Sequence, residues 1–191
     1  MTTPRATAPR PAVFLDRDGT INIDTHYLRR PEDVQLILGA PEAIARLNAA
    51  GIPVIVVSNQ SGIGRGLLTR AEYEAVRARI DDRLAHAGAR IDATYICPHA
   101  PSPESGAALC ECRKPGTLLF RTAAAEHVLD LPRSTFIGDR WRDVSPALQF
   151  GARGILVPSP DTPPADLARA RAELQMADSL GAAVDLVLLG E

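Results

Sequence analysis

Two aspartates one residue apart, Asp16 and Asp18, follow a short apolar run, Val13-Phe14-Leu15. The run reads as the end of a buried strand, which places both acids at its carboxyl end, where open α/β sheets bind ligands. Carboxylates this close repel one another unless a cation stands near them. Gly19 permits a tight backbone turn directly behind them. A third acid, Asp139, follows the stretch 134–138 in the same way and is placed to share that cation. Three carboxylates suit a hard ion that keeps some of its waters, Mg²⁺. Asp143, four residues further on, has two readings at this stage: another acid at the cation, or a charge at a helix N-terminus.

A phosphoryl group fits the remaining strand-end chemistry. Ser58-Asn59-Gln60-Ser61 closes a β-branched run with a hydroxyl, amides and a following Gly-Ile-Gly, a set able to wrap a phosphate with side-chain and backbone donors. It is not a P-loop, because the Gly-Lys pair is missing. Lys114 is the sole lysine; every other basic residue among the 21 is arginine. A lone lysine in so arginine-rich a chain marks a place for a compact, movable ammonium. Acids, cation and phosphate donors together point to phosphoryl transfer, with one carboxylate attacking and its neighbour acting as acid and then base.

All three cysteines lie close together with one histidine: Cys97, His99, Cys110 and Cys112. Two close pairs joined by a Pro/Ser/Gly-rich loop offer four donors for tetrahedral zinc, and a full protein shell makes that zinc structural. A disulfide would leave one cysteine over. Arg113 and Lys114 follow the last donor directly, so the zinc fixes their position.

These groups need a scaffold of alternating strands and helices. Strands are expected over 12–16, 53–57, 93–97, 134–138 and 154–157. Helices are expected over 41–50, 69–87 (Thr69 and Glu72 forming a capping box), 117–128, 165–175 and 180–189, the last capped by Asp178 or Ser179. Residues 1–11 read as a loose arm, and 12–191 as one domain with a zinc loop at 97–112. Strands alternating with helices predict a doubly wound parallel α/β sheet. A polar loop at 22–33, with Asp24, His26 and Tyr27, should lie beside the aspartates. His86 and His127 read as surface groups, and Trp141 as packing.

Composition excludes several classes. With 46% hydrophobic and 23% charged residues in 191, a folded core is expected. A net charge of −2 and no basic stripe argue against nucleic-acid binding, including a DNA-end phosphatase. No run is long and apolar enough for a membrane span, and no signal peptide is visible, so a reducing cytoplasm and a monomer are expected. A zinc-stapled binding module with a dead site is disfavoured, because each catalytic position holds a competent residue type.

The motifs together resemble the haloacid dehalogenase superfamily. Asp16-Arg17-Asp18-Gly19-Thr20, Ser58, Lys114 and Gly138-Asp139 match its four motifs in order. The stretches FLDRDGTIN, SNQSGIGRG, CPH…CECRKP and GDR narrow the resemblance to the heptose-bisphosphate and histidinol-phosphate phosphatases. The resemblance implies a Rossmann-like core without a large cap domain and makes Asp16 the nucleophile and Asp18 the general acid/base. Ser58 and Lys114 would hold the phosphoryl group, and Mg²⁺ would sit on Asp16, the Asp18 carbonyl and Asp139. Asp24, Tyr27, Ser58, Asn59, Gln60, Ser61, Arg113, Lys114 and Arg140 would contact a small sugar bisphosphate. It departs from the family pattern in Ser58, where threonine is frequent, and in a short loop between His99 and Cys110. Heptose 1,7-bisphosphate cleaved at C7 is the expected substrate, with histidinol phosphate as the alternative.

Overall fold

The structure is a computed structural model that describes residues 8–102, 104 and 110–190. Most of the predicted arm and part of the predicted zinc loop therefore lie outside the described residues. At the end of that arm, Arg10 is tied to the body, donating from its backbone N–H to Val128 O at 3.2 Å and accepting from Asp130 N at 2.9 Å.

In chain order the elements are β1 (Val13–Leu15), α1 (Ala40–Ala49), β2 (Val54–Asn59), α2 (Ser61–Gly64), α3 (Arg70–His86), β3 (Ala93–Cys97), α4 (Leu118–His127), β4 (Thr135–Gly138), α5 (Trp141–Val144), α6 (Pro146–Phe150), β5 (Arg153–Leu156), α7 (Pro164–Glu173), β6 (Gln175–Met176) and α8 (Leu180–Leu189). The strands form one parallel sheet in the order β3-β2-β1-β4-β5-β6. The five expected strands and five longer helices are all present. The sixth strand was not expected: the helix read through Gln175 ends at Glu173, and Gln175–Met176 pairs with β5. Two residues are too few to show an alternating pattern, so only the exposed edge of β5 makes them a strand.

Side-chain alternation divides the core into two main faces. Val13 and Leu15 point with Val54, Val56 and Ile137 into one cluster, covered by α1, α3 and α8. Phe14 points the other way with Ile55, Val57 and Phe136, covered by α4 and α6. All four phenylalanines meet on this second side. Phe14 stacks on Phe136 at 4.9 Å and meets Phe120 edge-on at 5.4 Å, while Phe136 stacks on Phe150 at 5.8 Å. The central strands β1, β2 and β4 are buried on both faces, as the middle of an all-parallel sheet requires.

Local chemistry sets the helix limits. Thr69 and Glu72 form the capping box of α3, and Tyr73, Val76, Ile80 and Leu84 are its buried stripe. Ser179, not Asp178, caps α8 by accepting from Ala182 N. His86 contacts the Asp82 carbonyl with Nδ1 at 2.7 Å near the end of α3, and His127 contacts the Tyr95 hydroxyl at 3.1 Å. Neither belongs to the site described next.

Candidate active site

Register brings the acids together. Leu15 pairs with Val56 on one side and Ile137 on the other, so β1, β2 and β4 end at one level. Asp16, Ser58 and Asp139 therefore emerge at three adjacent strand ends. The chain then turns sharply after Asp18, with Gly19 N donating to Asn22 O at 2.7 Å. Gly19 has φ +84°, and a Cβ there would overlap the Asp139 carboxylate. No other residue fits this turn without displacing an acid.

Lys114 reaches the same point from the far side of β2. Its Nζ donates to Asp16 Oδ1 at 2.8 Å and to the Val57 carbonyl at 2.6 Å. It also ion-pairs with Asp143 Oδ1 at 2.8 Å. Asn59 holds the Lys114 backbone from both sides, donating to its carbonyl at 3.1 Å and accepting from its N–H at 3.0 Å. Asn59 thus positions the lysine, besides lining the cleft. Asp143 stands at the start of a helix, as one reading expected, and also faces the buried lysine. One oxygen accepts from Arg140 N at 3.1 Å, at the start of α5, and the other faces Lys114.

Asp16, Asp139 and Asp143 present oxygens within 4.8 Å of one another, all buried. Burial first, then repulsion from Asp143, pushes Asp16 up to about 7 despite Lys114. The same two causes push Asp139 up to about 6. Asp139 Oδ1 is buried with no hydrogen-bond partner among the described residues. Lys114 is the one buried ammonium among these acids, with Arg140 at 3.3 Å from Asp139 and Arg142 at 3.8 Å from Asp143, and the orphaned Asp139 oxygen still costs free energy. The site therefore fits Mg²⁺, which Asp16 and Asp139 could hold with the backbone of Asp18 alongside. Two hydroxyls fix Asp139: Ser159 Oγ donates to its Oδ2 at 2.7 Å, and Thr162 Oγ1 to its carbonyl at 2.8 Å.

Asp18 has a different environment. Arg17 donates to both of its oxygens at 2.8–3.1 Å, Asn22 to Oδ1 at 2.9 Å and Gln60 to Oδ2 at 2.8 Å. Burial alone would raise its pKa, but Arg17 and these donors take it below the usual carboxylate range. Gln60 Nε2 also lies 2.8 Å from Ser58 Oγ, linking the hydroxyl of one strand end to the acid of the next. Arg17 is itself 4% exposed, with its guanidinium 5.3 Å from the Tyr73 ring centre.

A cleft of about 270 Å³ opens above Asp16 and Asp18. Asp24, Tyr27, Ser58, Asn59, Gln60, Ser61, Arg113 and Arg140 all line it, as expected. Lys114 lies beneath, 3% exposed, and touches the floor rather than the opening. Tyr27 has φ +76° and His26 φ +56°, and the Tyr27 ring packs where Gly62 has no side chain. His26 lines it too, within the polar loop expected beside the aspartates, whereas sequence reasoning did not place Arg17 or Arg142 in this lining, or Ser159 and Thr162 behind Asp139. Arg17 lies inside the Asp-x-Asp motif, a signal the sequence did offer.

The other four expected ligands also converge. Cys97, His99, Cys110 and Cys112 bring their donor atoms within 4.8 Å of one another, with Cys112 Sγ at 3.1 Å from Cys97 Sγ and 3.2 Å from Cys110 Sγ. No pair forms a disulfide. Sulfurs around tetrahedral zinc stand roughly 3.8 Å apart, given Zn–S distances of ~2.3 Å. The cluster is slightly tighter than that and has the right composition. Burial and the two neighbouring thiols push Cys112 up to about 12, the direction expected where thiolates lack a cation. This set fits a structural zinc. The chain passes from Cys112 straight into Arg113 and Lys114, so the knot anchors one wall of the cleft.

Comparison with known proteins agrees with this geometry. A family model described as HAD-hydrolase-like matches residues 111–183. The D-glycero-D-manno-heptose-1,7-bisphosphate 7-phosphatase of Thermosynechococcus vestitus is 44% identical over 155 residues, 78% of this chain and 79% of that protein. The D-glycero-beta-D-manno-heptose-1,7-bisphosphate 7-phosphatase of Escherichia coli K12 is 38% identical over 140 residues, 72% of this chain and 73% of that one. The crystal structure of D,D-heptose 1,7-bisphosphate phosphatase from B. bronchiseptica, complexed with magnesium and phosphate, superposes with a TM-score of 0.84 at 31% identity, covering 95% of this chain and 99% of that one. Identity of this extent, carried on a fold that matches almost end to end, makes the chain a member of the D-glycero-D-manno-heptose-1,7-bisphosphate phosphatase family of haloacid-dehalogenase-type phosphatases.

Proposed function

We propose that this phosphatase removes the C7 phosphate of D-glycero-D-manno-heptose 1,7-bisphosphate, releasing heptose 1-phosphate for nucleotide-activated heptose synthesis. The observation that carries the chemistry is the Asp16 carboxylate at the cleft floor, 2.8 Å from a buried lysine ammonium. The substrate rests on the relatives named above.

In the proposed mechanism, Mg²⁺ supplies charge neutralisation of the phosphoryl oxygens when bound on Asp16, the Asp18 carbonyl and Asp139. The Asp16 carboxylate attacks phosphorus, and the P–O bond to C7 breaks. The leaving sugar oxygen takes a proton from Asp18. The products of this half-reaction are heptose 1-phosphate and an aspartyl-phosphate. Water then attacks phosphorus, Asp18 takes its proton, and Asp16 is released with inorganic phosphate. Asp18 ends each cycle protonated and ready for the next substrate. The approaching phosphoryl dianion raises the proton affinity of Asp18 at the moment it must serve as acid. Ser58 and Lys114 hold the phosphoryl oxygens, and Asp24, Tyr27, Asn59, Gln60, Ser61, Arg113 and Arg140 surround the sugar and its second phosphate.

The proposal extends to a monomeric enzyme of one catalytic domain over 12–191, working in a reducing cytoplasm that keeps the zinc thiols unoxidised. No described helix is long and apolar enough to cross a membrane. The test is a side-by-side measurement of kcat/KM on both anomers of the heptose bisphosphate, on histidinol phosphate and on fructose 1,6-bisphosphate. The heptose esters should be turned over fastest. A preference for histidinol phosphate overturns the substrate assignment.

A further inference from the structure

One wall of the cleft is thin. Asp24, His26, Tyr27 and Leu28 line the cleft, while Tyr27 and Leu28 also line a second cavity of about 670 Å³, together with Arg29 and Glu72. The segment therefore stands as a partition between two open spaces. Leu28 seats its far end in the core. His26 and Tyr27 hold φ +56° and +76°, a region that L side chains rarely adopt, so the partition needs ties from outside to keep its shape. Two ties reach it, and both run to the same piece of chain. The Tyr27 ring lies against Gly62, so close that a Cβ there would stand 2.6 Å from it. Arg29 donates to Glu72 Oε1 from Nε at 3.2 Å and from Nη2 at 2.8 Å. The other Glu72 oxygen accepts from the Thr69 N–H at 2.6 Å and from its hydroxyl at 3.0 Å. Gly62 and Thr69 are joined in turn, because the N–H groups of Leu67 and Leu68 donate to the Gly62 carbonyl at 2.8 and 3.3 Å. This piece starts directly after the Ser58-Asn59-Gln60 turn of the site.

An ion pair between an arginine 56% exposed and a glutamate 31% exposed adds little to overall stability. Its placement is what matters, since it spans from the partition to the first turn of α3. The Thr69 N–H, and then Arg29, hold the Glu72 carboxyl down to about 2, so the pair stays charged across the neutral range. We infer that Arg29 and Glu72 are a positioning pair. By clasping the partition to the start of α3, they hold the Tyr27 ring against Gly62 and set how closely the cleft fits the sugar of the substrate. Released, the partition has the outer cavity to move into, while Asp16, Ser58 and Lys114 keep their own bonds. The inference deepens the proposed function and rests on it for the sugar that Tyr27 faces.

The experiment measures kcat and KM of the wild type, Arg29→Met, Arg29→Lys, Glu72→Gln and the Arg29→Met/Glu72→Gln double variant on heptose 1,7-bisphosphate. The same proteins are assayed on p-nitrophenyl phosphate, a monoester without a sugar, and for inhibition by inorganic phosphate. Glutamine at position 72 keeps the capping box of α3 and turns its amide N–H groups toward Arg29, so the clasp is lost and the helix start is not. Arg29→Met and Glu72→Gln should each raise KM for the heptose ester by ~3–5-fold, the scale of one exposed ion pair, with kcat little changed. The double variant should be no worse than the worse single one, and Arg29→Lys should keep part of the effect. Turnover of p-nitrophenyl phosphate and inhibition by phosphate should stay near the wild-type values. Unchanged KM in both single variants would overturn the inference. So would an equal loss on the sugar-free ester or in phosphate inhibition, which would place the effect at the phosphoryl site. Opposite signs would overturn it as well: if Arg29 acted only by its charge on an anionic ester, Glu72→Gln would lower KM where Arg29→Met raises it. A wild type that turns over histidinol phosphate and not the heptose ester would remove the heptose assignment, and the same split, read on histidinol phosphate, would still decide the role of the pair.

Discussion

The carboxylate cluster and the thiol cluster are two answers to one electrostatic problem. Each gathers groups that repel when ionised, and each calls for a cation. They differ in how completely the protein fills the shell. Cys97, His99, Cys110 and Cys112 supply four donors, enough to close a tetrahedron around zinc and leave no place for substrate. Asp16 and Asp139 would supply only part of a Mg²⁺ shell, and Lys114 donates to Asp16 from one side. The filled site can only hold a loop in place; the unfilled one can bind a phosphoryl oxygen. Their scaffolds differ to match. The acids Asp16 and Asp139 follow neighbouring strands of the core sheet, whereas Cys110 and Cys112 sit on a loop beyond β3.

That contrast can be broken most sharply at the nucleophile. Asp16→Asn should cut phosphatase turnover by ~10⁴-fold or more while zinc content and the circular dichroism spectrum stay unchanged. Retained activity in a folded, zinc-loaded variant would remove the assignment of Asp16. Cys112→Ser tests the other cluster. It should release zinc and lower the melting temperature by about 10 °C, as expected for a few kcal/mol lost from a domain of this size. It should also depress activity, because Arg113 and Lys114 lose their anchor. A variant that keeps its zinc and its melting temperature would show the thiols to be dispensable.

Smaller effects sharpen the difference in the support of each cation. Ser159→Ala removes the hydroxyl that holds Asp139 Oδ2. The apparent Mg²⁺ affinity should fall ~10-fold, with the rate at saturating Mg²⁺ nearly restored. Unchanged Mg²⁺ dependence would mean that the backbone alone positions Asp139. The smallest effect is the pH dependence of Mg²⁺ binding. In the metal-free site burial raises Asp16 to about 7 and Asp139 to about 6, above their unfolded values. Such groups stabilise the fold below their unfolded pKa, and that contribution is lost as pH rises through the folded values. Metal-free protein should therefore lose stability between about pH 4 and 7. The melting-temperature gain on adding Mg²⁺ should grow over the same interval, and binding near pH 6 should release protons. A gain independent of pH would contradict the raised values.

Much of this site was legible before any coordinates. The Asp-x-Asp pair, Ser58, Asp139 and the sole lysine each carry a residue type and a strand-end position that chemistry restricts. The four zinc donors were legible because thiols and imidazole at that density have few other uses. Arg142, Ser159 and Thr162 were not, because an arginine on a short helix and hydroxyls in a turn-rich loop are common everywhere. Asp143 stood between the two cases: its type suggested a role, and the structure places it at the start of α5 with its other oxygen toward Lys114.

Local sequence chemistry by itself determined the strand ends, the capping box of α3, the tight turn at Gly19 and the identity of both donor sets. Those features depend on neighbours a few residues away, so spacing reveals them. The tertiary structure decided the rest. Parallel register set β1, β2 and β4 to end at one level, and the crossover after the zinc loop carried Lys114 98 residues along the chain to within 2.8 Å of Asp16. It also decided which charges cancel. Arg17 pairs with Asp18, Arg140 with Asp139 and Arg142 with Asp143, while Arg113 lines the cleft with no ion-pair partner among the described residues. Pairing across separate elements depends on how the sheet is wound, and no local pattern in the chain encodes it.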